Sequence, residues 1–310
     1  VEQIAPQLTG RPRFVIMEGE PGAIAGDEYE ALIAGGSPDP RHPQVDENAI
    51  AELFYTSGTT GLPKGVALSQ RNLYLHAMGA QVALGWHEDD VILHVVPLFH
   101  VNGWGVPHFV TMIGGRHVML RRFEPTALME AVQRYRVTRL LGVPAIFNAL
   151  IHHQGRSSYD LSSLRQVVIG GSTAAPALTR ALEDGLGVQA VAGYGLSETT
   201  PIVTIALPRD VLAEAEPPER ALERRAMTGW PIPGVAVRVV DTAGHDVRPD
   251  GEQIGEILVR GNTVMNGYYR DPDGTAAAIR DGWLHTGDMA TLDEEGYVLI
   301  KDRSKDVIIR

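Results

Sequence analysis

The sequence has no cysteine, which excludes disulfides, thiolate zinc sites and a cysteine nucleophile and leaves the redox compartment open. Positive charge is also scarce. Lys and Arg number 27 against 38 Asp and Glu, a net charge of −11, so the surface is not built for nucleic acid or an anionic membrane, although local cationic sites fit within that total. No apolar run is long enough to span a membrane, and the opening VEQIAPQLTGRPRF lacks the charged-then-apolar layout of a signal peptide. The reading is a cytoplasmic protein with no nucleic-acid partner and no integral membrane segment. Assembly is left open, a homodimer being one option. There is no internal repeat and no low-complexity tract. Both ends read as cut: the chain starts without Met, enters an alternating segment at Arg13 to Met17, and stops on KDRSKDVIIR without a cap or turn.

What is present suffices for a large core, because 310 residues at 44% apolar content can bury one core or two unequal ones. From about residue 50, short β-branched runs alternate with helical-period stretches, the pattern of mainly parallel sheets flanked by helices. Ala51 to Thr56, Val91 to Val96, Arg116 to Leu120, Thr138 to Gly142, Gln166 to Ile169 and Val188 to Ala192 read as strands. Ser69 reads as the N-cap and Gly85 as the C-cap of one helix, and Pro125, Pro144 and Pro176 begin three more. After a charge-rich stretch at 208–226, read as a solvated helical linker, the texture changes. Val235 to Val240, Glu256 to Val259, Met289 to Leu292 and Tyr297 to Ile300 are short strands between Gly and Asp turns, the look of a small antiparallel, barrel-like subdomain. The expected organisation is therefore an α/β region over 1–207, the linker over 208–226, a small β subdomain over 227–300 and a closing segment over 301–310.

The strongest chemical signal is YTSGTTGLPKGV at Tyr55 to Val66. Thr56, Ser57, Gly58, Thr59, Thr60 and Gly61 place hydroxyls and glycines in a loop that follows a strand, and Lys64 closes it. Such a loop suits polyphosphate: glycine lets backbone N–H groups approach an anion, hydroxyls add donors, and lysine adds a compact charge. It is not a Walker A loop, since Pro63 precedes Lys64 where glycine is required and Gly65 follows it where Ser or Thr is required. Nor is Gly193 to Glu198 a dinucleotide fingerprint, because Glu198 stands at the third glycine.

The loop resembles the signature of the adenylate-forming superfamily of acyl-CoA synthetases, peptide-synthetase adenylation domains and beetle luciferases, and further segments agree in order. GYGLSET, from Gly193 through Tyr194 and Gly195, is similar to a core motif that implies Ser197 on the α-phosphate and Glu198 on magnesium, with Thr56 as a second metal-side residue. GGSTAAP resembles the adenine-side segment and implies Gly171 and Ser172 against the base. WLHTGD implies Asp288 on the ribose hydroxyls. DRSKD resembles the hinge motif, with Arg303 near the ribose and Lys305 at the pivot. Each alone has a plain reading as a surface or turn residue; the order across the chain carries the resemblance. Ala192 departs from it, standing where relatives often have glutamine.

PLFHVNGWGVP, from Pro97 to Pro107, falls where relatives place their acyl pocket. Amino-acid-activating members use an aspartate here, because a buried ammonium needs a charge partner. His100 occupies that place, followed by Val101, Gly103, Trp104, Val106, Phe109 and Val110, a lining similar to that of medium- and long-chain fatty acyl-CoA synthetases. The resemblance thus implies an AMP-forming acid–thiol ligase that uses ATP, Mg2+ and coenzyme A on a fatty acid, with Lys64, Glu198, Ser197 and His100 as its catalytic residues. It also implies that the start of the large domain and a small C-terminal domain carrying a further lysine lie outside these residues. Two other readings stay open: a non-catalytic nucleotide-binding module, and adenylation of another carboxylate, such as an aryl acid or an acyl group bound for a carrier protein.

Overall fold

The computed structural model describes residues 13–17, 26–39, 44–56, 62–208 and 216–303, apart from the side chains at 101, 102, 104, 302 and 303. The chain forms two units, Val1–Val45 and Asp46–Arg310. In the first, β1 (Val15–Ile16) runs parallel to β2 (Asp27–Glu28), and Glu28 caps α1 (Tyr29–Ala34) by accepting from the Ala31 N–H at 2.9 Å.

The second unit begins with a hairpin, β3 (Ile50–Thr56) and β4 (Lys64–Ser69), and then α2 (Gln70–Leu84). A run of alternating elements follows: β5 (Val91–His94), α3 (Val101–Met112), β6 (Arg116–Met119), α4 (Pro125–Tyr135), β7 (Arg139–Gly142), α5 (Pro144–Ile151), β8 (Gln166–Ile169), α6 (Pro176–Leu186) and β9 (Gln189–Gly195). After β10 (Ile202–Ile205) come α7 (Pro218–Ala226), β11 (Trp230–Pro231), β12 (Val235–Val240), β13 (Gly255–Gly261), β14 (Gly267–Tyr268), α8 (Pro272–Ala278), β15 (Ile279–Arg280), β16 (Trp283–Leu292) and β17 (Val298–Arg303).

Three sheets result in this unit. The main one has seven strands in the order β11-β10-β9-β8-β7-β5-β6, parallel from β9 to β6, with β10 and β11 antiparallel at one end. The interiors of its central strands are apolar, as expected where helices flank a parallel sheet: Leu140, Val167, Ile169, Ala190 and Val191 are fully buried. Each such burial of a Val, Leu or Ile contributes roughly 1.5–3 kcal/mol. The five-stranded antiparallel sheet, β12-β13-β16-β15 with β17 on β16, has its own core of Val239, Ile257, Val259, Leu284 and Val298. The third sheet joins distant segments, since β14 pairs with β4 in the order β14-β4-β3.

Helix starts and stops follow the sequence signals. Ser69 and Asn72 form a reciprocal capping box, and Gly85 ends the same helix at φ 63°. Pro125, Pro144 and Pro176 each begin a helix, where a missing N–H costs nothing.

The structure corrects or adds to the sequence reading at several places. Lys64 to Ser69 is a strand, because its apolar residues pair with β3 and bury Val66 and Leu68, whereas the sequence reads only as loop and cap. Residues 101–112 form a helix in spite of Gly103, Gly105 and Pro107. Gly105 serves packing: a Cβ there would lie 2.3 Å from Cδ of Pro201. The charged stretch does not hold a wholly solvated helix, since α7 buries Leu222, Arg224 and Ala226. Arg224 stacks 5.2 Å from the Tyr297 ring and pairs with Asp293 at 3.1 Å, so its charge is matched where it is buried. Finally, β16 starts at Trp283, which places WLHTGD in a strand, and Trp230–Pro231 adds a strand to the main sheet from beyond residue 227.

Candidate nucleotide site

The threonine-rich loop springs from the β3–β4 hairpin, in which Thr56 and Lys64 are directly paired. Ser57, Gly58, Thr59, Thr60 and Gly61 lie outside the described residues, as does Lys305. Lys64 places its ammonium 4.7 Å from the centre of the Tyr268 ring, and the Tyr268 hydroxyl donates to Glu198 Oε1 at 2.9 Å. Burial, with the Glu198 charge second, pushes the Tyr268 phenol well above its ordinary pKa, so it remains a donor.

Ser197 and Glu198 sit on a single 3-10 turn, Ser197–Thr199, at the end of β9. The buried Thr199 hydroxyl accepts from the Leu196 N–H at 3.0 Å and donates to the Pro201 carbonyl at 2.6 Å. Thr200 takes a left-handed conformation at φ 63°, its hydroxyl on the Thr263 carbonyl, and Met265 donates its N–H to the Glu198 carbonyl at 2.8 Å. Gly195 is required here, because a Cβ would lie 2.0 Å from the Pro201 oxygen. The turn is further braced by His76 on α2, whose Nε2 accepts from the Ile202 N–H at 3.0 Å. Burial lowers the His76 pKa to about 3, with His108 adding to the effect, so the ring is neutral and can accept.

Asp288, 4% exposed, accepts from the Tyr194 hydroxyl at 2.6 Å. It is presented by strand β16, in which the Gly287 N–H meets Glu256 Oε1 at 3.1 Å and the other Glu256 oxygen meets His285 Nδ1 at 2.9 Å. Across the β16–β17 ladder Asp288 is paired with Arg303, whose side chain is not described. Tyr194 and Glu198 are four residues apart, so one short segment carries both the contact to Asp288 and the contact to Lys64 by way of Tyr268.

An open cleft lies at the carboxyl ends of β7, β8 and β9. Its walls include Gly170, Gly171, Gly193, Tyr194 and Gly195, where glycine leaves room for a flat ring. Ser172 is exposed beside Gly171 and is not among the lining residues. A second, much smaller hollow shares Leu141 with the first and is walled by His94, Val95, Val96, Gly103 and Val106. It sits where β5 and β7 part to opposite connections, the switch point at which parallel α/β sheets bind ligands. His94 stacks on His117 with Nε2 to Nδ1 at 2.9 Å, and burial, with His117 second, lowers its pKa to about 4.

His100 is exposed at the mouth of α3, its N–H on the Pro97 carbonyl at 3.0 Å. The side chains of Val101 and Trp104 lie outside the described residues. Phe109 and Val110 belong to the main core, Phe109 packing 5.1 Å from the Trp86 ring, and Ile146 and Phe147 are core as well. Sequence reasoning missed Tyr268, Glu256 and His76. Tyr268 follows a glycine in NGYY, the one local hint; the other two have no signal short of the folded chain.

Among the described residues no three His, Cys, Asp or Glu side chains gather as a metal cage, and Glu198, linked to Lys64 through Tyr268, is a carboxylate of the kind Mg2+ takes together with phosphate oxygens and water. Among these residues no helix is long and apolar enough to cross a membrane.

A mainly parallel sheet with a glycine-walled cleft beyond its carboxyl ends defines the class as an α/β ligand-binding protein. The chain belongs to the AMP-binding enzyme family, whose profile matches residues 9–269. It is 41% identical to a long-chain-fatty-acid–CoA ligase of Thermus thermophilus over 99% of this chain and 57% of that protein. It is 39% identical to a 3-methylmercaptopropionyl-CoA ligase of Ruegeria pomeroyi over 99% of this chain and 58% of that protein. Among solved structures, ATP-bound MatB from Rhodopseudomonas palustris superposes with a TM-score of 0.78 at 29% identity, over 90% of this chain and 53% of that one. The chain thus spans less than three-fifths of the length of these curated relatives.

Proposed function

We propose that these residues form the nucleotide- and acyl-binding part of an AMP-forming acid–thiol ligase that activates a fatty acid with ATP and passes it to coenzyme A. One observation carries the reading: Tyr268 links Lys64 to Glu198, and Tyr194, four residues before Glu198, holds Asp288 and lines a glycine-walled cleft. The similarity to a long-chain-fatty-acid–CoA ligase supports it and favours an aliphatic acid.

In this reading the carboxylate of the fatty acid attacks the α-phosphorus of ATP, pyrophosphate leaves opposite, and the thiol of coenzyme A then displaces AMP. The chain's work is alignment and charge stabilisation. Lys64 and the loop from Thr56 to Gly61 hold the β- and γ-phosphates, Ser197 holds the α-phosphate, and Asp288 fixes the ribose. Glu198, with Thr56 nearby in sequence to the phosphate loop, supplies the protein side of a magnesium site; the ion, when bound, neutralises phosphate charge. Gly171 and Ser172 lie on the base side, Arg303 and Lys305 at the hinge. His100, Val101, Gly103 and Trp104 flank the acyl group.

ATP–pyrophosphate exchange on the full chain, across a series of aliphatic and aromatic carboxylates, tests this. Magnesium-dependent exchange strongest with medium or long aliphatic acids is expected. ATP binding without exchange for any acid would point to a non-catalytic module, and a preference for aryl acids to another adenylating chemistry. Asp288→Ala should weaken ATP binding by roughly 10- to 100-fold, the loss of charge-assisted hydrogen bonds worth about 1.5–3 kcal/mol. Calorimetric titration checks it, and an unchanged affinity would remove Asp288 from the ribose.

A further inference from the structure

We propose that Tyr268 is a positioning residue that holds the Glu198 carboxylate and the Lys64 ammonium as one preset unit for the magnesium nucleotide. The inference rests on the function proposed above and adds a residue to it. Tyr268 touches both partners by different parts of its side chain: the hydroxyl donates to Glu198 Oε1 at 2.9 Å, and the ring lies 4.7 Å below the Lys64 ammonium.

Among the described residues Lys64 and Glu198 form no ion pair with each other. A direct pair would neutralise both groups and compete with the metal and with phosphate. An intervening phenol avoids this. It orients one carboxylate oxygen without adding a counter-charge, and it holds the ammonium by a cation–π contact that a phosphate oxygen readily replaces.

The phenol is itself well anchored. Tyr268 pairs with Val66 on β4, two residues beyond Lys64, and Tyr269 donates its N–H to the Gly65 carbonyl. The Tyr268 N–H donates to Thr275 Oγ1 at 2.8 Å. The same segment grips the Glu198 turn through Met265 and Thr263. A residue fixed to the phosphate hairpin on one side and to the acidic turn on the other is placed to set their separation.

The test uses the full chain, Mn2+ as the metal probe and a non-hydrolysable ATP analogue. Electron paramagnetic resonance reads Mn2+ affinity in the analogue's presence, and calorimetry reads analogue affinity without metal. Tyr268→Phe keeps the ring and removes the hydroxyl. It should weaken Mn2+ on the order of tenfold, as expected for removal of a group that orients a metal ligand, with metal-free analogue affinity unchanged. The chain has three lysines, so after reductive 13C-methylation the Lys64 signal can be resolved. It should be ring-current shifted in the wild type and Tyr268→Phe and unshifted in Tyr268→Leu. Unaltered Mn2+ affinity in Tyr268→Phe, or an unshifted Lys64 signal in the wild type, would overturn the proposal while leaving the proposed function standing. A wild type that binds no Mn2+ with the analogue would overturn both.

Discussion

Replacing Glu198 by alanine is expected to lower magnesium-dependent ATP–pyrophosphate exchange by at least about 100-fold, the scale set by removing a group that stabilises transition-state charge. The loss should be local. The turn carrying Glu198 keeps its shape through the Thr199 and Thr200 hydroxyls and the Met265 N–H, none of which uses the carboxylate. Glu198 is only partly buried, and its recorded side-chain partner is Tyr268, so stability should change by about 1 kcal/mol or less. Exchange rates at saturating ATP over a range of magnesium concentrations, with a thermal melt alongside, test both statements. Wild-type exchange in a folded Glu198→Ala protein would remove the metal role.

Acid should destabilise the fold well before its carboxylates protonate. His76 and His94 are held neutral, with folded pKa values near 3 and 4, mainly by burial. The unfolded chain takes up protons at these positions near pH 6.5, so between there and the folded values it binds more protons than the native state. This contribution is therefore complete above about pH 6.5 and declines as the pH falls, by roughly 1.4 kcal/mol per pH unit per histidine. At pH 5 each should have cost about 2 kcal/mol. Urea unfolding midpoints between pH 7.5 and 5 measure it, and carboxylates with lowered pKa, such as Asp90, act only at lower pH. His76→Gln keeps an acceptor for the Ile202 N–H without a titrating ring and should reduce the slope by about half. A flat profile in the wild type would mean that His76 and His94 are not buried as neutral rings.

The site responds to the same chemistry. Protonated His76 could no longer accept from Ile202, and that N–H lies just past the turn bearing Ser197 and Glu198. In the folded state this happens only near pH 3, so activity is expected to persist on acidification until the fold itself is lost.

What could be read in advance divides along physical lines. Three helix starts at proline, the Ser69 cap and the Gly85 stop fall where the sequence puts them, because capping and proline geometry act within one turn of the chain. Strand β4 was not legible: its place is set by pairing with β3 and with Gly267–Tyr268, some 200 residues on. Helix α3 was hidden by Gly103, Gly105 and Pro107, and the reason for glycine at 105, the close passage of Pro201, lies almost a hundred residues on. Arg224 shows the same limit, since a charge run reads as solvated until Asp293 and Tyr297 are brought to it.

By itself the sequence determined the α/β alternation, the change to short antiparallel strands after residue 226, and the family motifs from the phosphate loop to Asp288, because these depend on periodicity and on residues close in the chain. Only the tertiary structure decided that Tyr268 stands between Lys64 and Glu198, that Tyr194 holds Asp288, and that a neutral His76 supports the acidic turn. Contacts between residues 70 to more than 200 positions apart depend on how whole sheets pack, and no local pattern of residue types encodes that distance.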